Sequence, residues 1–414
     1  MRWGGFGARY AAALAVDAIG AGLLRPFLVV YGVGVLALPA AATGIALTAG
    51  LLAGLVVVPP VGRWIDRGAR VGPVVAALVV RVAGVAVLLG ARGLGAFAVA
   101  AVLLGVGNQA WPPAHAALVS AMAGARADGA LAFGRALRNG GLGVGALVAT
   151  VAVGAGTGVL RLLAVGTMVG YAVAAGLVGT MRVTAATSVR TKVRGRSHRV
   201  LVWGNLPLAL CYSVLEVVLP VVLTQRLHAP AVWAGLIFAG NTVLVVVLQV
   251  PLVVRLAGRS RRGLLAVAGG VLAVSYAGFW VSGSAGAVAG VAVVYTLGEL
   301  LYAGFGAALV AAAAPAGEVG RALAGFQLST GVANALAPAL LLGLLQAGEA
   351  PLWSGLVVAT ALGGWVIGRW GPVPPERAEL SGVELSGVAL SGVELSGAEP
   401  VVAARAGGSG SGAP

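Results

Sequence analysis

The chain has 414 residues, of which 59% are hydrophobic and only 9% charged, and its mean hydropathy is +1.00. A soluble globular domain carries roughly 25% charged residues, so composition argues against a water-soluble enzyme or nucleic-acid binder in spite of a net charge of +15 and a pI near 11.4. Lipid cannot hydrogen-bond a bare backbone, so apolar spans must be helices, and the abundant glycine and alanine favour close helix contacts.

In chain order, membrane-spanning helices are predicted near residues 10–33, 41–61, 71–91, 95–122, 131–155, 158–181, 200–225, 231–255, 263–283, 286–314, 320–346 and 350–370. The N-terminal Arg2 and Arg9 ahead of an apolar run imitate a signal peptide. Asp17 and Arg25 interrupt that run, however, and it continues past Tyr31, so it is read as the first span.

With both termini placed in the cytoplasm, the inner segments hold eighteen basic residues: Arg2, Arg9, Arg63, Arg67, Arg70, Arg126, Arg182, Arg190, Lys192, Arg194, Arg196, Arg199, Arg255, Arg259, Arg261, Arg262, Arg321 and Arg369. The outer loops hold three, Arg92, Arg161 and Arg226. This bias fixes an even number of spans with both ends inside, the arginines lying against the anionic inner leaflet. Arginine outnumbers lysine 26 to one beside abundant Gly, Ala and Val, which points to a GC-rich bacterial genome and hence a bacterial plasma (inner) membrane.

Four units follow. Residues 1–181 form one six-helix bundle, 182–199 a basic cytoplasmic linker, 200–370 a second bundle, and 371–414 a tail. The tail repeats ELSGV from Glu379 to Ala398 and buries too little apolar area to fold alone. Cys211, inside an apolar span, is a buried small hydrophobe rather than half of a disulfide.

The halves share a faint internal repeat at an offset of 191 to 194. Pro26 falls on Pro220, Gly44 on Gly235, Pro60 on Pro251, Gly107 on Gly298, Leu118-Val119 on Leu309-Val310, and Ala130-Leu131-Ala132 on Ala322-Leu323-Ala324. Six spans per half implies repeats of the same orientation, with a binding site near the midplane between them.

Charges inside the spans need partners or water, because each costs roughly 2.5 to 3.5 kcal/mol at a helix centre. The candidates are Asp17, Arg25, Arg81, Glu216 and Glu299. Arg25 either pairs with Glu216 or Glu299 across the halves or receives an anionic ligand. Asp17 and Glu299 are candidates for binding and releasing a proton, since burial and a nearby arginine pull carboxyl proton affinity in opposite directions. Arg135 and Arg138, near the start of the fifth span, are expected to snorkel to the interface. Helical spacing groups Tyr295, Glu299 and Tyr302 on one face, Asn108, Trp111 and His115 on another, and Gln327, Thr330 and Asn334 on a third. Each stripe lines a cavity or makes interhelical hydrogen bonds.

The segment Gly62-Arg63-Trp64-Ile65-Asp66-Arg67-Gly68-Ala69-Arg70-Val71 resembles the signature between helices two and three of the major facilitator superfamily, Gly-x-x-x-Asp-Arg/Lys-x-Gly-Arg/Lys-Arg/Lys. Gly62, Asp66, Arg67 and Arg70 match, and Ala69 and Val71 depart. The resemblance covers residues 8–370 and implies an all-α fold of twelve helices in two pseudo-symmetric six-helix bundles. It also implies a gating loop in which Asp66 latches the cytoplasmic side onto the start of helix eleven, near Gly320 and Arg321, in the outward-open state. The second half has Ala257 in place of that acid, so the latch is expected mainly on one half. In helix five, Gly141 and Gly145 match the drug/proton antiporter members, while Ala146, Ala149 and Thr150 do not; their arginine in helix four is absent.

The function expected is secondary active transport by alternating access, as proton-coupled efflux of small amphipathic molecules. The nearest alternative is an importer or uniporter of an anionic or neutral metabolite, and a more remote one is a transport-inactive sensor or scaffold. Substrate and proton candidates are Asp17, Arg25, Glu216, Glu299, Asn108, Trp111, His115, Tyr295 and Tyr302. An enzyme is not expected, because His115, His198 and His228 lie far apart and no HExxH occurs. Partners are a small molecule, protons and the lipid bilayer, with no nucleic acid, no cofactor and no metal, and the unit is a monomer.

Overall fold

A computed structural model describes residues 7–153, 158–183, 195–230, 232–315 and 317–372. The linker from 184 to 194 and the tail from 373, with the expectations attached to them, lie outside the described residues.

Apolar residues are continuous enough to build helices throughout, and no strand occurs among the described residues. The first helix, α1, runs Ala8–Leu24 and, after a bend of 46°, Leu28–Val35. Then follow α2 Ala41–Asp66, α3 Val71–Leu89, α4 Leu94–Ala123, α5 Ala127–Val153, α6 Val159–Gly179, α7 Val200–Arg226, α8 Val232–Arg255, α9 Arg261–Val281, α10 Ala285–Ala313, α11 Val319–Ala347 and α12 Glu349–Trp370. Eleven of these are individually long and apolar enough to cross a membrane, and the bent α1 makes twelve. This is the architecture of a multi-pass membrane protein. Side chains such as Val56, Val151, Leu162 and Val281 are exposed on its flanks, where water would penalise them and lipid does not.

Two boundaries depart from expectation, both at the arginine-rich end of the bundle, called here the basic end. The second span continues helically to Asp66 rather than stopping at 61, and the fifth begins at Ala127 rather than 131. Hydropathy marks where lipid ends, whereas a helix satisfies its own backbone and can protrude beyond it. Gly62 to Asp66 is therefore the last turns of a helix rather than a loop.

The two sixes repeat one packing scheme. In the first, α1 packs on α5 and α6, α3 on α4 and α6, and α2 on α4; in the second, α7 packs on α11 and α12, α9 on α10 and α12, and α8 on α10. Each half has its own apolar core, one built around Leu78, Val85, Phe97 and Tyr31, the other around Tyr276, Phe279, Trp353 and Leu272. Backbone irregularities repeat as well. Both α1 and α7 carry a proline and wider π-type turns in their second halves, at Tyr31–Val35 and Val222–Arg226. Two residues beyond each end stands a residue with positive φ, Ala37 (52°) and His228 (48°). Close helix approach rests on glycine: a Cβ on Gly145 would sit 2.2 Å from the Ile19 carbonyl, and one on Gly141 2.6 Å from the Ala18 Cβ.

Candidate functional site between the two halves

At the basic end the halves are joined by two ion-pair clasps. Asp66, the last residue of α2, accepts from the backbone N–H groups of Gly320 (2.6 Å) and Arg321 (3.2 Å) and from Arg321 Nε (3.0 Å). The first amides of a helix lack internal partners and carry partial positive charge. Glu318, which precedes α11, makes no side-chain cap, so the missing cap comes from the other half. Below it, Gly62 and Gly320 bring the backbones together, a Cβ on Gly320 falling 2.0 Å from the Gly62 carbonyl. Arg70 turns back to donate to Ile65 O (2.7 Å) and Ala69 O (3.0 Å), closing the end of α2, and Arg67 is exposed.

A second clasp joins the halves beside the first. Arg261, first residue of α9, donates through Nε to both oxygens of Asp128 in the first turn of α5, at 3.1 and 2.9 Å. By the repeat offset Asp128 stands where Gly320 stands in the other half. The acid has moved from the interhelical segment to the helix start, with the cation opposite. The departure at Ala257 hid this exchange.

Deeper in, Gln327 Nε2 of α11 donates to Gln109 Oε1 of α4 at 2.9 Å, across the halves. Asn205 of α7 donates to Ser329 and Thr330 of α11 and accepts from Tyr302, so Gln327 and Thr330 make interhelical bonds while Asn334 is exposed. Gln109 was not singled out by sequence, although it is one of the few amides in an apolar span. Truncating one amide leaves the other half-buried and unsatisfied, at about 1 to 3 kcal/mol. Gln109→Leu alone is therefore expected to weaken basic-end closure, and Gln109→Leu with Gln327→Leu to restore most of it. Electron–electron distance measurement between spin labels on α2 and α11 reads this directly, and equal shifts in single and double variants would contradict it.

The N-terminal half holds a buried charge cluster. Asp17 Oδ1 lies 2.8 Å from Arg81 Nη1 and Asp17 Oδ2 3.0 Å from Arg138 Nη1, with side-chain exposures of 2%, 0% and 19% for Asp17, Arg81 and Arg138. The Arg81 guanidinium lies 4.6 Å over the Tyr171 ring, and that of Arg138 4.1 Å over Trp111. Trp111 stacks on His115 at 4.4 Å, and His115 Nδ1 shares a 2.6 Å hydrogen bond with Tyr10 Oη. Arg138 therefore points inward rather than snorkelling. So does Arg135, whose guanidinium lies 5.1 Å over the ring of Tyr212 in α7, and whose Nε is buried without a partner among the described residues.

In the C-terminal half, Glu299 accepts from Asn241 Nδ2 of α8 at 2.9 Å. Its charge also interacts with Arg135 of the other half and with Glu216. Glu216 interacts in turn with Arg25, and both of these are exposed, on α7 and α1. The remaining expected residues divide. Tyr302 is buried against Asn205, Asn108 is half-buried, and Tyr295 is wholly inside its own half, donating to the Cys211 carbonyl and packing on Tyr276 and Phe279. Tyr295 is thus a core residue rather than a cavity residue.

Among the described residues, every hydrogen bond and ion pair between the halves lies in the part of the helices nearer the basic end. Packing agrees: Ile65, Ala116, Ala117 and Ala132 of the first half, all near that end, join the core of the second.

No family model and no curated protein matches this sequence. Solved structures do match its fold. The human organic anion transporter MFSD10 (TETRAN) aligns with TM-score 0.70 at 14% identity, covering 87% of this chain and 98% of its own. A bacterial homologue of the iron transporter ferroportin in an outward-facing state aligns with TM-score 0.69 at 16% identity, covering 87% and 98%. The major facilitator superfamily transporter FucP in the outward conformation aligns with TM-score 0.70 at 13% identity, covering 88% and 97%. Over nearly all of its described length, then, this chain has the fold of the major facilitator superfamily transporters.

Proposed function

We propose that the protein is a secondary active transporter that exports small amphipathic molecules in exchange for protons, by rocking residues 1–181 against 200–370 about the basic linker 182–199. The supporting observation is one-sided closure. The halves are clasped at the basic end by Asp66 and Asp128, and meet deeper through Gln109, Gln327 and Arg135. Such contacts between two separately cored bodies are removable as a set, which alternating access requires. The arginine bias supports a cytoplasmic basic end in a plasma membrane, so the state described is outward-facing. One copy contains both halves of the site, which supports a monomer. Glu299, half-buried on α10 and hydrogen-bonded to Asn241, is the proton-coupling acid of this reading.

Arg25 favours a second reading, import or uniport of an anionic metabolite, because it is exposed and makes no ion pair among the described residues. MFSD10, of the same fold, carries organic anions. Proton movement in everted vesicles, challenged in turn with lipophilic cations, neutral drugs and organic anions, separates the readings. Export by antiport predicts a ligand-triggered proton leak in wild type that Glu299→Gln abolishes. Response to anions alone, or flux unchanged in Glu299→Gln, would favour the second.

A further inference from the structure

A charge in the middle of a membrane span needs a partner or water. Asp17, Arg81 and Arg138 have one another, and Glu299 has Asn241. Arg25 and Glu216 make no ion pair, and among the described residues they are the two mid-span charges that are exposed. Their helices place both about 25 Å from the basic end, beyond the contacts that Gln109, Gln327 and Arg135 make between the halves. Packed neighbours show which way each one faces. Arg25 follows Ala18 by seven residues and Ala21 by four, and both alanines are buried within their half, so Arg25 stands on the inner face of α1. Glu216 follows Tyr212 by four residues, and Tyr212 is the side chain that meets Arg135 of the other half, so Glu216 stands on the face of α7 turned to the cleft. Each therefore borders the open cleft rather than lipid, one from each half, and the charge of Arg25 is felt at Glu216. Val29 and Val33 follow Arg25 at four-residue steps and are exposed as well, so an apolar wall continues outward from the cation.

Resting on the transport reading above, we infer that the transported ligand is a zwitterion with an apolar body, its carboxylate on Arg25 and its ammonium on Glu216. When the open side closes over a ligand, water leaves the cleft, and each of these charges then needs a counter-charge in its place. A ligand of one sign serves one of the two and strands the other. A zwitterion serves both, with one group on each half, so binding it draws α1 and α7 together. The guanidinium donates in a planar fork that fits a carboxylate, and the Glu216 carboxylate accepts from the ammonium. Val29 and Val33 receive the apolar body. Arg25 and Glu216 are thus specificity-determining residues that select a charge pattern, and they narrow the amphipathic ligand to one of zero net charge.

The test measures binding by the full chain in detergent, read as the rise of the thermal unfolding midpoint with probe concentration. Six probes are used: free leucine and free phenylalanine as zwitterions, their methyl esters as cations, and their N-acetyl derivatives as anions. Wild type is expected to bind the zwitterion of each body at least about tenfold more tightly than either singly charged form. Arg25→Gln moves the preference to the methyl esters, and Glu216→Gln moves it to the N-acetyl derivatives. A wild type that binds neither zwitterion, or that favours a singly charged form, would overturn the inference. So would an order unchanged in both variants, which would make the two residues a closure pair with no part in choosing the ligand. A variant that exchanges one preferred probe for another reports its own folding, and where a variant fails to fold the wild-type order alone decides. Zwitterion preference in a protein that moves none of the six probes across vesicle membranes would overturn the transport reading and leave the ligand class standing.

Discussion

Gly320→Ala is expected to cost the protein most of its basic-end-closed state and, with it, transport, although it adds one methyl group to a helix. The new Cβ would lie 2.0 Å from the Gly62 carbonyl oxygen and 2.6 Å from the Ile65 Cβ. Backbone cannot rotate away as a flexible side chain can, so α2 and α11 must part. Alanine is otherwise the better helix former, and α11 itself gains from the change. The loss therefore falls on the interface. Overpacking of this kind costs about 1 to 3 kcal/mol, and at the upper end closure falls by about 100-fold relative to opening. The methyl also crowds Asp66 Oδ1, 2.9 Å from the added atom, and so disturbs the clasp that caps α11. Leu131→Cys supplies a reporter between the halves, because Leu131 packs against both cores and the native Cys211 is fully buried. Labelling of that cysteine by a water-soluble maleimide from the basic side should accelerate strongly when Gly320→Ala is added. Unchanged labelling would show that the Gly62 and Gly320 contact is not what holds this end closed.

Asp17→Asn is expected to be the most destabilising single change in the charge cluster, well beyond Arg81→Met. The cluster has one carboxylate for two arginines. Removing Asp17 leaves Arg81, which is fully buried, and Arg138, which is largely so, without a counter-charge. Breaking a buried pair in this way costs about 3 to 5 kcal/mol. Removing Arg81 instead leaves a one-to-one pair, Asp17 with Arg138, and an apolar side chain beside Tyr171. Thermal unfolding in a mild detergent, followed by tryptophan fluorescence, should show a large loss for Asp17→Asn, a small one for Arg81→Met, and partial recovery when Arg138→Gln accompanies Asp17→Asn. Equal losses in the two single variants would mean that packing, rather than charge balance, governs the cluster.

Much of this was legible in the sequence. Apolar length located all twelve helices, since lipid leaves the backbone one solution. The segment from Gly62 to Arg70 and its landing place at Gly320 and Arg321 were legible through family resemblance. What sequence could not give was which helix faces meet. Asp17, Arg81 and Arg138 lie on three helices, and each was recognisable only as a charge in need of a partner. Arg135 and Arg138 turn inward because their partners, Tyr212 of α7 for the first and Asp17 of α1 with Trp111 of α4 for the second, lie on the faces they share, which spacing along α5 does not show. Asp128 is not legible from the repeat, because the halves exchange acid and base and the position matching Asp66 is the alanine at 257. Tyr295 shared a helical face with Glu299 by spacing alone, and α7 and α9 proved close enough to enclose it.

The pair between Asp17 and Arg81 also bears on how the chain enters the bilayer. The first span carries two charges, Asp17 and Arg25, each costing roughly 2.5 to 3.5 kcal/mol at a helix centre. The second and third are among the most apolar of the twelve. A ribosome delivering them in order offers the machinery a reluctant first helix whose counter-charge is still some sixty residues behind. The partners that α1 packs on, α5 and α6, come later still, and α5 brings the second counter-charge, Arg138, so the first helix is expected to settle only after most of its half has been delivered.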